Sequence, residues 1–212
     1  MEKGLFIVTE GIDGCGKSSQ AMKLADWIFS NYKKINTILL THEPTRSKHG
    51  VEIYRRLQEG NKDSSAVVKE RMLELYVLDR EEHVNEVIAP ALEKRMVVIC
   101  DRYKYSTIAY QSAQGVSNSH VIEVNAGFPV PDITLIFNAT VENCISRMEK
   151  SGKKMDKFEK ASFLEKVKDQ YVKLPTLLPN ERIHMINANQ SIDQIHADVI
   201  KAVKPFVEAL AK

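Results

Sequence analysis

A glycine-rich stretch near the start of the chain constrains the fold more than any other feature of the sequence. It reads Gly11-Ile12-Asp13-Gly14-Cys15-Gly16-Lys17-Ser18, and it satisfies the pattern G-x-x-x-x-G-K-[ST] at every fixed position. The glycines allow consecutive backbone N–H groups to point inward around phosphate oxygens. Lys17 is expected to reach the β- and γ-phosphates of a bound nucleotide, and the Ser18 hydroxyl is expected to bind Mg²⁺.

The residues on either side of this loop supply the context that the pattern requires. Leu5 to Thr9 is an apolar run rich in β-branched residues, which predicts a buried strand. From Ser18 to Tyr32 the apolar residues recur at helical spacing, so a helix is expected to follow the loop. The loop would then lie at a helix N-terminus, where the helix dipole favours bound anions.

The rest of the chain alternates between predicted strands and predicted helices. The other predicted strands are Asn36 to Thr41, Met96 to Cys100, Asp132 to Phe137 and Ile183 to Asn187. This alternation is typical of an α/β protein with a parallel sheet and helices on both faces. Together with the phosphate loop, it predicts a three-layer P-loop NTPase fold with a five-stranded parallel sheet. Because no repeat or low-complexity linker interrupts the pattern, residues 1–212 are expected to form a single domain.

Composition narrows the range of partners. The chain has 212 residues, of which 43% are hydrophobic, and this apolar content is enough for one well-packed core. Its net charge is +2. Acidic and basic residues are interspersed, and the absence of a basic stripe argues against nucleic acid as a partner. No apolar run is long enough for a membrane span or a signal peptide, so a cytoplasmic protein is expected. Three widely spaced cysteines without a C-x-x-C pair indicate neither a zinc site nor a disulfide framework.

Charged residues follow the predicted strands at the sheet edge where α/β proteins bind ligands. Asp101 and Arg102 come directly after the third strand, and Arg46 follows the second. Arg80 lies one helical turn after Tyr76, so these two side chains share a helix face. Arginine binds phosphate in a bidentate fork, and phosphoryl transfer between two anions needs such cations. These positions favour a small kinase. They do not exclude a P-loop motor or transporter ATPase in which Asp101 is the metal carboxylate, although such proteins usually have longer chains.

A block in the middle of the chain is more specific than the phosphate loop. It fits the pattern D-R-[YH]-x-x-S-x-x-A-[YF]-Q with Asp101, Arg102, Tyr103, Ser106, Ala109, Tyr110 and Gln111. Together with Thr9 to Ser18, Glu43-Pro44 and Leu75 to Arg80, this block resembles the thymidylate kinase family of P-loop nucleoside monophosphate kinases. The resemblance covers almost the whole chain. It implies ATP-dependent phosphorylation of dTMP to dTDP in nucleotide biosynthesis, Mg²⁺ as a cofactor and a homodimer.

The resemblance also implies an ATP site at the phosphate loop. Ser18 and Asp101 would hold the metal, and Asp101 would act in the magnesium shell or orient an arginine rather than accept a proton. Asn189 and Gln190 would border the adenine. The residues assigned to ATP are Gly11, Ile12, Asp13, Gly14, Cys15, Gly16, Lys17, Ser18, Ser19, Arg147, Asn189 and Gln190.

The same resemblance implies a dTMP site beside the ATP site. Arg46 and Arg102 would bind the dTMP phosphate, Tyr76 would stack on thymine, and Arg80 and Gln111 would lie at the edge of the base. The residues assigned to dTMP are Asp13, Glu43, Arg46, Tyr76, Arg80, Arg102, Ser106, Thr107, Tyr110 and Gln111. The acceptor is an ionised phosphate, so catalysis needs positioning and charge neutralisation more than a general base. The residues assigned to catalysis are Lys17, Arg102, Asp101 and Asp13.

The basic loop 151–157 resembles the mobile lid of the family but departs from it in composition. One branch of the family carries arginines in the lid, and another carries an arginine within the phosphate loop, where this chain has Gly14 and Cys15. Lysine does not make the bidentate fork, so the sequence does not identify the cation that clamps the transferred phosphoryl group. The lid cations of this chain are Lys153, Lys154 and Lys157.

Two alternatives stay open at the level of sequence. The first is a kinase for another acceptor, such as dUMP or a deoxynucleoside, with Glu43 as the candidate to take a hydroxyl proton. The second is a non-catalytic nucleotide-binding regulator on the same fold, for which the lysine-only lid is the best argument. Against the regulator stand Lys17, Ser18, Asp101 and Arg102, because a protein that only binds nucleotide does not need all of them together. Base selectivity stays open too, since one methyl group is worth only about 1–3 kcal/mol.

Overall fold

A single parallel sheet forms the centre of the computed structural model, which describes residues 3–59, 65–150 and 157–212. In these ranges the sheet has five strands in the order β2-β3-β1-β4-β5. The strands are β1 (Leu5–Glu10), β2 (Ile38–His42), β3 (Val97–Asp101), β4 (Ile133–Asn138) and β5 (Ile183–Asn187). The five predicted strands are therefore confirmed, with ends that differ from the predicted ones by up to two residues.

The central strand β1 explains why its sequence is a continuous apolar run. It pairs in parallel with β3, where Leu5 lies opposite Val97, and with β4, where Ile7 lies opposite Ile133. All six of its residues are buried, because helices cover both faces of a parallel sheet. The predicted α/β fold is thereby confirmed.

Helices fill the connections between the strands and direct every strand end toward the same edge. The helices are α1 (Lys17–Asn31), α2 (Lys48–Glu59), α3 (Ala66–His83), α4 (Ala89–Glu93), α5 (Lys104–Ala113), α6 (Asn118–Asn125), α7 (Val141–Lys150), α8 (Lys157–Leu177) and α9 (Ile192–Leu210). None of the helices in the described ranges is both long enough and apolar enough to cross a membrane.

Two of the helical regions have boundaries that bear on the site. The long helix α3 passes into a π-helical segment, Val84–Ile88, before α4 begins, and Pro90 lies in the first turn of α4, where its missing N–H is not needed. Helix α8 begins at Lys157, the last residue of the predicted lid segment. The rest of that loop, 151–156 with Lys153 and Lys154, lies outside the described residues.

Candidate active site

The phosphate loop connects the end of β1 to the start of α1, as its sequence predicts. Gly14 has φ 82°, and a Cβ atom there would lie 2.4 Å from the carbonyl oxygen of Cys144. Gly16 has φ 102° and stands at the N-cap position of α1. Both backbone conformations favour glycine, so the glycines of the pattern are required by the shape of this turn.

Lys17 points back into the loop and is almost completely buried. Its Nζ donates hydrogen bonds to the carbonyl oxygens of Gly11 and Ile12, both at 3.0 Å. Neutral carbonyls bind the ammonium group without cancelling its charge. The loop therefore offers a cation and the N-terminus of α1 to the same ligand, an arrangement suited to phosphate.

Ser18 and Asp101 form an oxygen-rich pair beside the loop. The Ser18 hydroxyl donates to Oδ2 of Asp101 at 2.5 Å, and this contact joins the start of α1 to the end of β3. The other carboxylate oxygen, Oδ1, is buried and has no hydrogen-bond partner among the described residues. A buried carboxylate oxygen without a partner, next to a hydroxyl, fits a hard cation such as Mg²⁺ that prefers oxygen ligands. The two predicted metal ligands are therefore in contact.

Arg102 connects the phosphate loop to helices α5 and α8. Its guanidinium donates to Asp13 at 2.6 Å, to the Ser106 hydroxyl at 2.9 Å and to the hydroxyls of Tyr110 and Tyr171 at 3.3 and 3.4 Å. Its backbone has φ 71°, which is unusual for a residue other than glycine and is a feature that concentrates at functional sites. Three predicted dTMP residues therefore meet around Arg102.

Glu10, the last residue of β1, is a part of the site to which the sequence assigns no role. It is fully buried and accepts hydrogen bonds from the Ser106 hydroxyl at 2.6 Å, the Tyr171 hydroxyl at 2.9 Å and the Tyr103 N–H at 2.8 Å. Burial raises the pKa of Glu10, and the nearby Arg102 opposes this effect. Glu10 thus orients two of the three hydroxyls that bind Arg102, those of Ser106 and Tyr171. No pattern in the sequence of α8 distinguishes Tyr171 from an ordinary core residue.

Glu43 is held by two cationic or protonatable side chains of α3. One oxygen lies 2.8 Å from Nη2 of Arg80, and the other lies 3.1 Å from Nδ1 of His83. Arg80 also donates to Asn125 at 2.5 Å and to Thr107 at 2.9 Å, and its side chain is only 1% exposed. Because both oxygens of Glu43 are engaged, the carboxylate is poorly placed to act as a general base.

The same group of residues contains a set of potential metal ligands. Atoms of Glu43, His83 and Cys100 lie within 4.8 Å of one another. Desolvation by burial, reinforced by nearby carboxylates, raises the pKa of the Cys100 thiol well above its usual range. The guanidinium of Arg80 already neutralises Glu43. This set is therefore a hydrogen-bonded network and not a good metal centre.

The remaining residues predicted for dTMP lie around this network. Tyr76 is partly buried in α3, and burial raises its pKa to about 12, so its ring stays neutral. Gln111 is buried, and within the described part of the chain its side-chain oxygen has no hydrogen-bond partner. Arg46 is exposed in the segment between β2 and α2, near Tyr54. A neutral ring, an unsatisfied amide oxygen and an exposed cation are the groups that a nucleotide would engage.

Arg147 joins the phosphate loop to the turn after β5. It donates to the carbonyl oxygen of Cys15 at 3.2 Å and to that of Ala188 at 2.9 Å. Within this turn, the side chain of Asn189 accepts from the backbone N–H that precedes α7, at 2.8 Å, and Gln190 donates to a carboxylate of α9 at 2.8 Å. The residues predicted to border adenine are thus assembled beside the loop.

One cavity of about 980 Å³ lies at the carboxyl edge of the sheet. Arg80, Thr107 and Gln111 are buried in the fold, and Arg46 is exposed. The predicted site residues that are not among the described residues lining this cavity are Gly11, Ile12, Arg46, Tyr76, Arg80, Ser106, Thr107, Gln111, Asn189 and Gln190. The predicted site residues that line the cavity are Asp13, Gly14, Cys15, Gly16, Lys17, Ser18, Ser19, Glu43, Asp101, Arg102, Tyr110 and Arg147.

Comparisons with known proteins agree on one family. The family model described as thymidylate kinase matches residues 9–199. The probable thymidylate kinase of Pyrococcus horikoshii is 42% identical over 204 residues, covering 95% of this chain and 97% of the relative. The thymidylate kinase of Desulfotalea psychrophila is 37% identical over 206 residues, covering 97% and 96%. The crystal structure of thymidylate kinase from Ehrlichia chaffeensis matches with a TM-score of 0.72 and 29% identity, covering 95% of this chain and 98% of that one.

Proposed function

The chain belongs to the thymidylate kinase family, and from this premise we propose how its residues carry out the reaction. The activity is transfer of a phosphoryl group from ATP to dTMP, which gives dTDP and ADP. The observation that carries our assignment is the position of Arg102. Its guanidinium binds Asp13 of the phosphate loop on one side and the hydroxyls of α5 and α8 on the other, so it lies where donor and acceptor would meet.

We assign the donor side to the phosphate loop. The triphosphate would lie on the N-terminus of α1 and displace Lys17 from the loop carbonyls toward the β- and γ-phosphates. Arg147 and Asn189 would lie beside the adenine. Positive charge from Lys17 and Arg102 would stabilise the negative charge that spreads over the transferred group.

Mg²⁺ fits this site, and Ser18 and Asp101 are the residues that would hold it. The unpartnered Oδ1 of Asp101 supports this assignment, because a buried carboxylate oxygen is otherwise costly. Bound Mg²⁺ supplies charge neutralisation at the phosphate oxygens. The chain contributes the hydrogen bond that aligns the Ser18 hydroxyl with the carboxylate.

We assign the acceptor side to the region between Arg102 and α3. Arg46 and Arg102 would bind the dTMP phosphate, and Asp13 would face the sugar. Tyr76 would stack on thymine, and Gln111 would offer its free amide oxygen to a donor at the base edge. Arg80 supports the acceptor pocket through its ion pair with Glu43 and its hydrogen bond to Thr107. Ser106, Thr107 and Tyr110 are tied to these arginines and complete the acceptor pocket.

The same proposal extends to organisation. We infer a single kinase domain over residues 1–212, with the segment 151–157 as its lid, in a cytoplasmic enzyme. We also infer a homodimer, and its support is the resemblance to the family. Sedimentation equilibrium at micromolar concentrations tests the dimer, and a single species of about one chain mass would refute it.

The test of the proposed function is ADP release in Mg²⁺-ATP against a panel of dTMP, dUMP, dCMP, dGMP, dAMP and thymidine, with Lys17→Ala as the inactive control. We expect turnover with dTMP well above that with the others. A clear preference for another acceptor would refute our assignment of Tyr76 and Gln111 to thymine. ATP binding without turnover on any acceptor would favour the regulator instead.

A further inference from the structure

The segment that carries Arg46 is fixed to the body of the protein by one buried carboxylate. Asp79 of α3 accepts three hydrogen bonds: from the Thr45 N–H at 2.9 Å, from the Thr45 hydroxyl at 2.5 Å and from the Ser47 hydroxyl at 2.8 Å. Asp79 is 1% exposed. Thr45 and Ser47 are the two chain neighbours of Arg46, so a single carboxylate fixes the backbone on both sides of the exposed arginine.

The packing around this carboxylate leaves little room for another arrangement. Gly50 of α2 lies against the same segment, and a Cβ atom there would lie 2.2 Å from the carbonyl oxygen of Thr45 and 2.8 Å from Oδ1 of Asp79. The Ser47 hydroxyl also accepts from the Gly50 N–H at 3.1 Å, which ties the start of α2 to the same network. The segment is therefore fixed by charge-assisted hydrogen bonds and by close backbone contact together.

An exposed arginine gains from such support. Its side chain loses rotational freedom when it binds a phosphate, and any freedom of its backbone would add to that loss. If the backbone is already fixed on both sides of the arginine, binding does not have to restrict its backbone freedom. A buried carboxylate whose hydrogen-bond partners are neutral is expensive to maintain, so a fold that keeps one at this place gains something other than stability from it.

We propose that Asp79 is a positioning residue for the acceptor phosphate: it fixes the Thr45–Ser47 backbone so that Arg46 meets the phosphate of dTMP in one orientation. This inference rests on the proposed role of Arg46. It assigns to Asp79 no contact with substrate. It predicts that Asp79 matters only for ligands that carry a phosphate, and only while Arg46 is present.

The experiment is a double-mutant cycle with Asp79→Asn, Arg46→Ala and the double variant, in which KM for dTMP, KM for ATP and kcat are measured. Asp79→Asn is nearly isosteric but loses the carboxylate charge and one acceptor. We expect KM for dTMP to rise about tenfold, the size of a lost hydrogen bond to a charged group, with KM for ATP changed less than about twofold. In the Arg46→Ala background the same substitution should change KM for dTMP by less than about twofold.

Two further measurements separate positioning from a loss of fold. Calorimetric binding of thymidine, which lacks the phosphate, should be unchanged in Asp79→Asn. The matched control is Asp132→Asn, because Asp132, just before β4, also accepts a backbone N–H, from Phe6 of β1 at 2.8 Å. This control should leave KM for dTMP unchanged. Thr45→Val, which removes one of the three hydrogen bonds and keeps Asp79, should give a smaller rise than Asp79→Asn.

The outcomes distinguish the role of Arg46 from the role of Asp79. If Arg46→Ala leaves KM for dTMP unchanged, the proposed role of Arg46 is wrong. If Arg46→Ala raises KM but the effect of Asp79→Asn is additive to it, or thymidine binding weakens equally, Asp79 acts on the fold and the positioning inference is overturned.

Discussion

Replacement of Arg80 tests whether this arginine belongs to the framework of the site and not to its ligand-binding surface. We choose Arg80→Met, because methionine has a similar length and leaves little cavity. The change would leave Glu43 buried with one carboxylate oxygen unpaired, and it would remove the donors to Asn125 and Thr107. Desolvation of a charge that has lost its partner is the dominant cost.

The magnitude follows from this geometry. Breaking a buried ion pair from one side costs about 3–5 kcal/mol. A domain of this size shifts its Tm by about 2–4 °C per kcal/mol, so the expected decrease is roughly 6–20 °C. That loss is a large fraction of the roughly 5–15 kcal/mol by which a typical domain is stable. His83 still binds the other oxygen of Glu43, which favours the lower half of this range.

Urea unfolding followed by tryptophan fluorescence measures the loss, since the chain has one tryptophan, Trp27, whose ring packs edge-to-face on Tyr32. The matched control is Arg71→Met on the same helix, because the pair of Arg71 with Glu74 is exposed and is worth under about 0.5 kcal/mol. A loss of less than about 1 kcal/mol for Arg80→Met, or a loss equal to that of the control, would refute the framework role.

Three other perturbations test separate parts of the site. Asp101→Asn should raise the Mg²⁺ concentration for half-maximal activity by about tenfold or more, and an unchanged Mg²⁺ titration would exclude Asp101 from the metal site. The folded state raises the pKa of Glu10 above its ordinary value of 4.5. The folded protein therefore keeps a proton on Glu10 at pH values where the unfolded chain has released it. As the pH rises above 4.5, Glu10 therefore lowers the free energy of unfolding. The free energy of unfolding, measured from pH 4 to 8, should therefore decrease less with rising pH in Glu10→Gln than in the wild type. Parallel pH profiles of the two proteins would contradict this. Replacing Lys153 and Lys154 together by Ala should lower kcat by about tenfold or more if they neutralise the transferred group, whereas an unchanged kcat would assign them to a solvated surface.

The sheet and the phosphate loop could be predicted because their signals are local. Burial of β1 on both faces requires a continuous apolar run, and Leu5 to Thr9 forms that run. The positive φ angles of the loop require glycine at fixed positions, which gives the sequence a fixed glycine spacing. The end of α3 was less predictable. The π-helical segment before α4 leaves no distinct pattern, and Pro90 indicates only that a helix starts or bends nearby.

The buried polar network could not be predicted, because its partners are far apart in the chain. Glu10 binds residues 96 and 161 positions away, and Asp79 binds a segment 34 positions before it. A buried Glu, Asp or His has the same sequence signature as an exposed one, and only the fold determines which of them is enclosed. This is why Tyr171, His83 and Asp79 have no assigned role in the sequence, although Tyr171 and His83 contact residues that do and Asp79 binds the two chain neighbours of Arg46.

Arg80 and Arg102 show how the fold separates two arginines that look equivalent in sequence. Arg80 pairs with Glu43, and the two side chains are 1% and 4% exposed, whereas Arg102 pairs with Asp13, and these are 17% and 48% exposed. A phosphate that takes Arg102 from Asp13 leaves a carboxylate that water can solvate at once. A phosphate that takes Arg80 from Glu43 would leave a buried charge, at a cost of several kcal/mol. The solvation of the carboxylate left behind therefore favours Arg102 as the arginine available to a phosphoryl group. Arg80 stays paired with Glu43 and supports the acceptor pocket.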